Sequence, residues 1–200
     1  MLSVRTKIYS APDFDTKEIL RYMGAHGDDA ELSAAVSECI AEAADKLTYK
    51  VCYATVPIKA LPVEVDFGFT RTSSLALSSA LSDCRTAILF AATVGIGIDR
   101  LIARSAVGSQ LRELAFSAIG AERIEALCEC FCHDMRVELS GAGLGIKPRF
   151  SPGYADLPLE FQRDVFAALD CAKHIGLTLN DSLLMSPSKS VTAIVGVYKM

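Results

Sequence analysis

Eight residues in a row, Thr86 to Thr93 (TAILFAAT), carry no charge, and the uncharged stretch runs on to Ile98 between Arg85 and Asp99. A bilayer span needs about 20 such residues, so this segment belongs inside a folded protein. An apolar run of this length reads as a strand with both faces covered, which requires a layer of structure on each side of the sheet. The chain is large enough to supply those layers. It has 200 residues, 51% of them apolar, and one domain over residues 1–200 is expected, with a helical segment at about 13–48 and the core sheet and its helices over 49–200.

The rest of the chain is read by period and punctuation. Asp15 with Glu18 has the spacing of a helix start, and Ile19, Leu20, Tyr22 and Met23 follow up to Gly24. Asp28 with Glu31 repeats the signal, and Leu32, Val36, Ile40, Ala43 and Leu47 recur at helical intervals. Tyr49 to Pro57 and the segment around Val63 and Val65 read as strands. Ser73 or Ser74 caps a short helix carrying Leu75, Leu77 and Leu81. Helices are expected over Asp99–Val107 and Gln110–Leu139, the second divided at Gly120, and again from Pro158 to about His174. Leu183–Met185 and Val191–Tyr198 are expected to pair as a hairpin through Ser186–Ser190. Strands arriving in adjacent pairs with helices between them indicate an α+β fold with a mixed, mostly antiparallel sheet.

Composition removes several functions. Lys and Arg number 20 against 24 Asp and Glu, with no basic block, so nucleic acid is not an expected partner. The N-terminus lacks an apolar export segment, no membrane span is readable, and a cytoplasmic location is expected. The odd count of seven cysteines reads as free thiols in a reducing compartment. Cys128, Cys130, Cys132 and His133 suggest a metal, but helical residues two apart point about 200° apart, so no metal site is assigned. Thr93–Ile98 lacks the third glycine of a dinucleotide loop and reads as a tight strand-to-helix turn. His26, His133 and His174 lie far apart and support no hydrolase. Asp181 and Ser182 read as turn residues.

The segment with the most unusual chemistry is Arg149-Phe150-Ser151-Pro152-Gly153-Tyr154, which follows the glycine-rich stretch Ser140–Gly145. Arg supplies a planar fork suited to a carboxylate, Gly permits close approach to the backbone, and Tyr adds a ring face and a hydroxyl. On physics alone it is either a ligand site or an ordered turn with one exposed guanidinium.

This segment continues as Ala155-Asp156-Leu157-Pro158-Leu159-Glu160 and is followed by Met185-Ser186-Pro187-Ser188-Lys189-Ser190-Val191. Both resemble signature stretches of the S-adenosylmethionine-binding activation domain of cobalamin-dependent methionine synthase. Lys17–Gly24, Ala92–Gly95 and Asp99-Arg100 resemble that family too, its short, separately encoded members in particular, so the likeness spans nearly the whole chain. The resemblance implies a single C-shaped α+β domain with a twisted antiparallel sheet flanked by helices. It implies S-adenosylmethionine contacts at Arg149, Phe150, Ser151, Gly153 and Tyr154. Glu125, in a helical stretch that matches within one residue of register, takes the acidic contact of that family or remains a solvated carboxylate. Long family members add a tyrosine beyond the last strand, and Tyr198 is out of register with it, so no residue here is matched to that role.

By the same resemblance, the chain is an activation subunit for reductive remethylation of cob(II)alamin and not a complete enzyme alone. Cobalamin then sits only on a partner, a methionine synthase or related corrinoid protein, because the chain has no Asp-x-His-x-x-Gly stretch for the cobalt. A flavodoxin-like electron donor is implied as well. Two competing readings are a docking module that has lost the ligand and a small methyltransferase. The second lacks the glycine-rich loop of a Rossmann-type enzyme.

Overall fold

A computed structural model describes residues 2–25 and 30–200; Asp28 and His26 lie outside the described residues. In chain order the elements are β1 (Arg5–Tyr9), α1 (Thr16–Tyr22), α2 (Ala30–Ala43), β2 (Tyr49–Pro57), β3 (Lys59–Ala60), β4 (Glu64–Asp66), β5 (Arg71–Ser73) and α3 (Leu75–Ala80). They continue with β6 (Cys84–Thr93), α4 (Ile96–Ser105), α5 (Gln110–Ser140), β7 (Leu144–Ile146), α6 (Phe161–Leu169), α7 (Cys171–Ile175), β8 (Thr178–Leu179), β9 (Met185–Ser186) and β10 (Ser190–Lys199). The main sheet is curled and antiparallel throughout, in the order β1-β2-β6-β10-β7, with a three-stranded sheet β3-β4-β5 and a β8-β9 pair beside it.

The apolar run is the middle strand, β6. Ile88, Phe90 and Ala92 join one core with α1, α2, α4 and α5, while Ala87, Leu89 and Ala91 join a second with α6, α7 and the small sheet. The period of two sends alternate residues to opposite faces, and both faces are covered, as the continuous apolar pattern requires. Residues Tyr49, Val51 and Tyr53 of β2 face the first core, and Cys52, Ala54 and Val56 face the second. Asp15 caps α1 by accepting from Glu18 N, and Ser74 caps α3 by accepting from Leu77 N at 3.0 Å.

Several sequence expectations need correction. Strand β1 was not foreseen, because its apolar Ile8 points outward at 76% exposure. Lys7 and Tyr9 are the inward residues, donating to Asp134 of α5 at 3.3 and 2.9 Å, so the usual alternation is inverted. Helix α4 begins at Ile96, not Asp99, opening from Gly95 at φ +82°. Gly120 does not divide α5, which runs unbroken for 31 residues. A Cβ there would lie 2.7 Å from Lys189 Cγ and 3.1 Å from Ile98 Cγ1, so glycine serves a close crossing and not a break. The helix foreseen from Pro158 to His174 starts at Phe161 and is cut at Asp170, which takes a left-handed conformation.

The foreseen hairpin is absent. Met185–Ser186 pairs with Thr178–Leu179, and β10 pairs instead with β6 and β7. A backbone turn and a side-chain contact divert the chain. Leu183 has φ +63°, outside the strand region, and Asp99 of α4 accepts from both Ser188 N and Ser188 Oγ, at 2.8 and 2.5 Å.

No helix among the described residues is long and apolar enough to cross a membrane. Cys128 and Cys132 are buried, one helical turn apart, while Cys130 points elsewhere and is half-buried. Among the described residues no group of three or more His, Cys, Asp or Glu could hold a metal ion.

Candidate functional site

Residues 147–150 extend the sheet edge past β7. Lys147 N donates to Gly196 O at 2.8 Å, and Phe150 exchanges both backbone hydrogen bonds with Ile194 of β10 at 2.9 and 2.8 Å. This pairing buries the Phe150 ring and holds Arg149 toward α5. The chain then turns. Gly153 adopts φ +85°, its N–H donates to Leu157 O at 2.9 Å, and Tyr154 N donates to Ser151 O at 3.1 Å. A side chain at position 153 would be strained, which accounts for the glycine. Tyr154 stands 66% exposed, with its ring edge-on to Phe150 at 5.3 Å.

Asp156 ties this turn to α3. Its carboxylate accepts from Ser74 Oγ at 2.5 Å, Leu75 N at 2.6 Å and Ala76 N at 3.2 Å, at the positive end of the helix. The Ser74 hydroxyl, and then the Leu75 and Ala76 amides, hold its carboxyl below the usual range. A carboxylate with a depressed pKa contributes stability above its unfolded value, about 3.9, and loses that contribution as pH falls through the folded value. Asp156→Asn is therefore expected to lower Tm at pH 7, with the gap to wild type closing as the pH drops below about 4. A pH-independent gap in a thermal melt series would remove the carboxylate from the explanation.

The cleft enclosed by these elements has a volume of about 920 Å³, within the range of small-molecule sites. Five of the six candidate residues, Glu125, Arg149, Phe150, Ser151 and Tyr154, line it. Gly153 does not, and shapes the turn from behind. Sequence reading missed the opposite wall, formed by Ser79, Ala80 and Leu81 at the end of α3, and the floor at Ile146–Pro148. It also missed Glu129, Cys132 and Arg136 of α5. Positions 125, 129, 132 and 136 keep helical spacing on one face, and that spacing was the available signal.

Arg149 is the electrostatic centre. Its Nη2 donates to Glu125 Oε2 at 2.8 Å and to Glu129 Oε1 at 3.1 Å. Burial alone would lower the pKa of the guanidinium, but the hydrogen bond and charge of Glu125 outweigh it and raise it. Nε and Nη1 have no hydrogen-bond partner among the described residues, so each remains as a single donor to a carboxylate, while both bidentate edges share the Nη2 already held by the two glutamates. Burial pushes the Cys132 thiol up to about 11 despite the opposing charge of Arg149. It is protonated at neutral pH and no nucleophile.

No family model matches the chain, and no curated protein matches its sequence. Among solved structures it is similar to the crystal structure of the MetH reactivation domain bound to AdoHcy, with a TM-score of 0.73 over 98% of this chain and 78% of that one. Sequence identity is 15%, and the likeness shows a shared fold. The α+β fold implied by the sequence resemblance is the fold of this chain.

Proposed function

We propose that the chain binds S-adenosylmethionine in the Arg149 cleft and presents its methyl group to a cobalamin carried by a separate protein, as the activation component of a methionine synthase or related corrinoid enzyme. The observation that carries this reading is the gathering of Arg149, Glu125, Phe150, Ser151 and Tyr154 around one cleft, on a fold shared with a domain solved with AdoHcy. Each part of the ligand has a counterpart in the cleft. An unpartnered N–H of Arg149 suits the carboxylate as a single charged hydrogen bond, Glu129 and Glu125 offset the ammonium and sulfonium charges, and the exposed Tyr154 face suits the adenine ring or the sulfonium. The protonated Cys132 leaves the methyl group untouched.

Cobalamin on such a partner would supply a reduced cobalt as methyl acceptor, with a flavodoxin-like protein as the electron donor. The chain's own part would be to bind S-adenosylmethionine and orient it so that its methyl group can be presented to the partner.

Calorimetric titration with S-adenosylmethionine tests this. The wild type is expected to bind, and Arg149→Ala to bind about tenfold more weakly or worse, the effect of one charged hydrogen bond. Equal binding by both would refute the assignment of the cleft. A second reading, a docking module that does not take the ligand, is favoured by the two ion pairs already held by Arg149 Nη2. No binding by wild type, alone or with its corrinoid partner, would support that reading.

A further inference from the structure

A second cleft, of about 730 Å³, opens where the start of β2, the first turns of α4 and the end of α7 meet. Four cationic residues line it, Lys46, Lys50, Arg100 and Arg104, and no acidic residue does. The chain as a whole carries a net charge of −4, so this is a local reversal of sign. Arg100 and Arg104 lie one turn apart on the same face of α4, a like-charge spacing that destabilises a helix.

Lys46 donates to Glu42 O and Asp45 Oδ1, and Arg104 pairs with Glu42. Lys50 and Arg100 have no acidic partner among the described residues. Two of the four charges are therefore left for something else to neutralise.

The backbone adds to the charge. Helix α4 opens at Gly95 with no side-chain cap, so its first N–H groups are left for another acceptor. Gly95 and Gly97 line the cleft with bare backbone. At Gly97 a Cβ would fall 2.0 Å from Lys46 O, so the start of α4 sits directly on the Lys46 backbone and fixes the lysine and arginine pairs relative to each other. Ile96, Leu101, Ile175 and Pro187 form an apolar wall on the same cleft.

We propose that this cleft is an anion site for a small phosphorylated molecule whose phosphate group lies among Lys50, Arg100 and the start of α4 and whose apolar part lies against Ile175 and Pro187. Guanidinium forks and a helix start match phosphate oxygens in charge and geometry. The volume suits a molecule of nucleotide size. The site is separate from the Arg149 cleft and shares no lining residue with it.

Calorimetric titration of the full chain with pyrophosphate at low ionic strength tests the proposal. Saturable binding is expected, weakened about tenfold by Arg100→Gln and again by Lys50→Gln, and unaffected by Arg149→Ala. Both test side chains reach solvent, so the variants are expected to keep the wild-type Tm within a few degrees. Absence of saturable binding at about 10 mM, or binding that survives the double variant, would overturn the proposal. Tighter binding of a glutamate-rich peptide than of pyrophosphate would also overturn it, by assigning the cleft to an acidic protein.

Discussion

Replacement of Arg123 by alanine is expected to cost about 3–5 kcal/mol of unfolding free energy, the cost of breaking a buried ion pair from one side. Arg123 is fully buried on α5, and among the described residues no other charged side chain is enclosed so completely. Its guanidinium donates to both carboxylate oxygens of its neighbour Glu122, to Pro12 O at 2.5 Å and to Asp13 O at 2.6 Å, and it lies over the Phe14 ring at 4.0 Å. Glu122 in turn accepts from Asp15 N at 3.4 Å, at the cap of α1. This one side chain thus fastens the link between β1 and α1 to the central helix.

Alanine would leave the buried Glu122 carboxylate with only the distant Asp15 N–H as donor and take the guanidinium away from the Pro12 and Asp13 carbonyls. Urea denaturation measures the loss through the midpoint at constant slope. Arg123→Lys keeps the charge but not the fork, and should fall between wild type and alanine. A loss below about 1 kcal/mol for alanine would mean that water reaches these acceptors and that the enclosure described is not maintained in solution.

Phe131→Ala should cost a comparable amount, about 3–5 kcal/mol, for a different reason. Phe131 is fully buried where α5 lies on the sheet, with its ring 4.7 Å from that of Phe90 on β6 and 5.2 Å from that of Tyr53 on β2. Truncation leaves a cavity at the junction of three elements whose backbones are held by their own hydrogen bonds and cannot close in. Phe131→Leu should recover most of the loss, because it restores most of the volume. If alanine and leucine were equally destabilising, the ring interactions would outweigh the volume. Phe131 itself does not line the Arg149 cleft. Reduced S-adenosylmethionine binding by Phe131→Ala under folded conditions would show that the seating of α5 governs the spacing of Glu125 and Glu129 from Arg149.

The candidate cleft was legible in part. Arg149, Phe150, Ser151 and Tyr154 are consecutive or nearly so, and a short motif is visible wherever it folds. Glu125 was placed beside them only through a family resemblance. Glu129, whose carboxylate also reaches Arg149, and Ser79–Leu81 at the end of α3 were not found as site residues. Asp156 looked like one more residue of the motif, yet it is the side chain that fastens the turn to the start of α3, about 80 positions earlier. The cationic cleft had no sequence signature, because Lys46 and Lys50 lie about 50 positions from Arg100 and Arg104 and neither pair is unusual alone.

By itself the sequence determined the features that depend on neighbours along the chain. An uninterrupted apolar run leaves β6 no polar face to expose, so it had to be covered on both sides. Asp15, and one of Ser73 and Ser74, had to cap the helices that follow, because such side chains reach the free N–H groups three residues on; the structure gives the second cap to Ser74. Tertiary structure alone decided which distant segment supplies each cover. It turned Ile8 of β1 outward because Asp134 claims Lys7 and Tyr9, and it gave Gly120 the task of admitting the Lys189 crossing within an unbroken α5. It paired β9 with β8 because Asp99 holds Ser188, and it closed the cleft around Arg149. The reason is common to all four: periodicity reports that a face is buried, while the identity of what buries it depends on contacts between residues far apart in the chain.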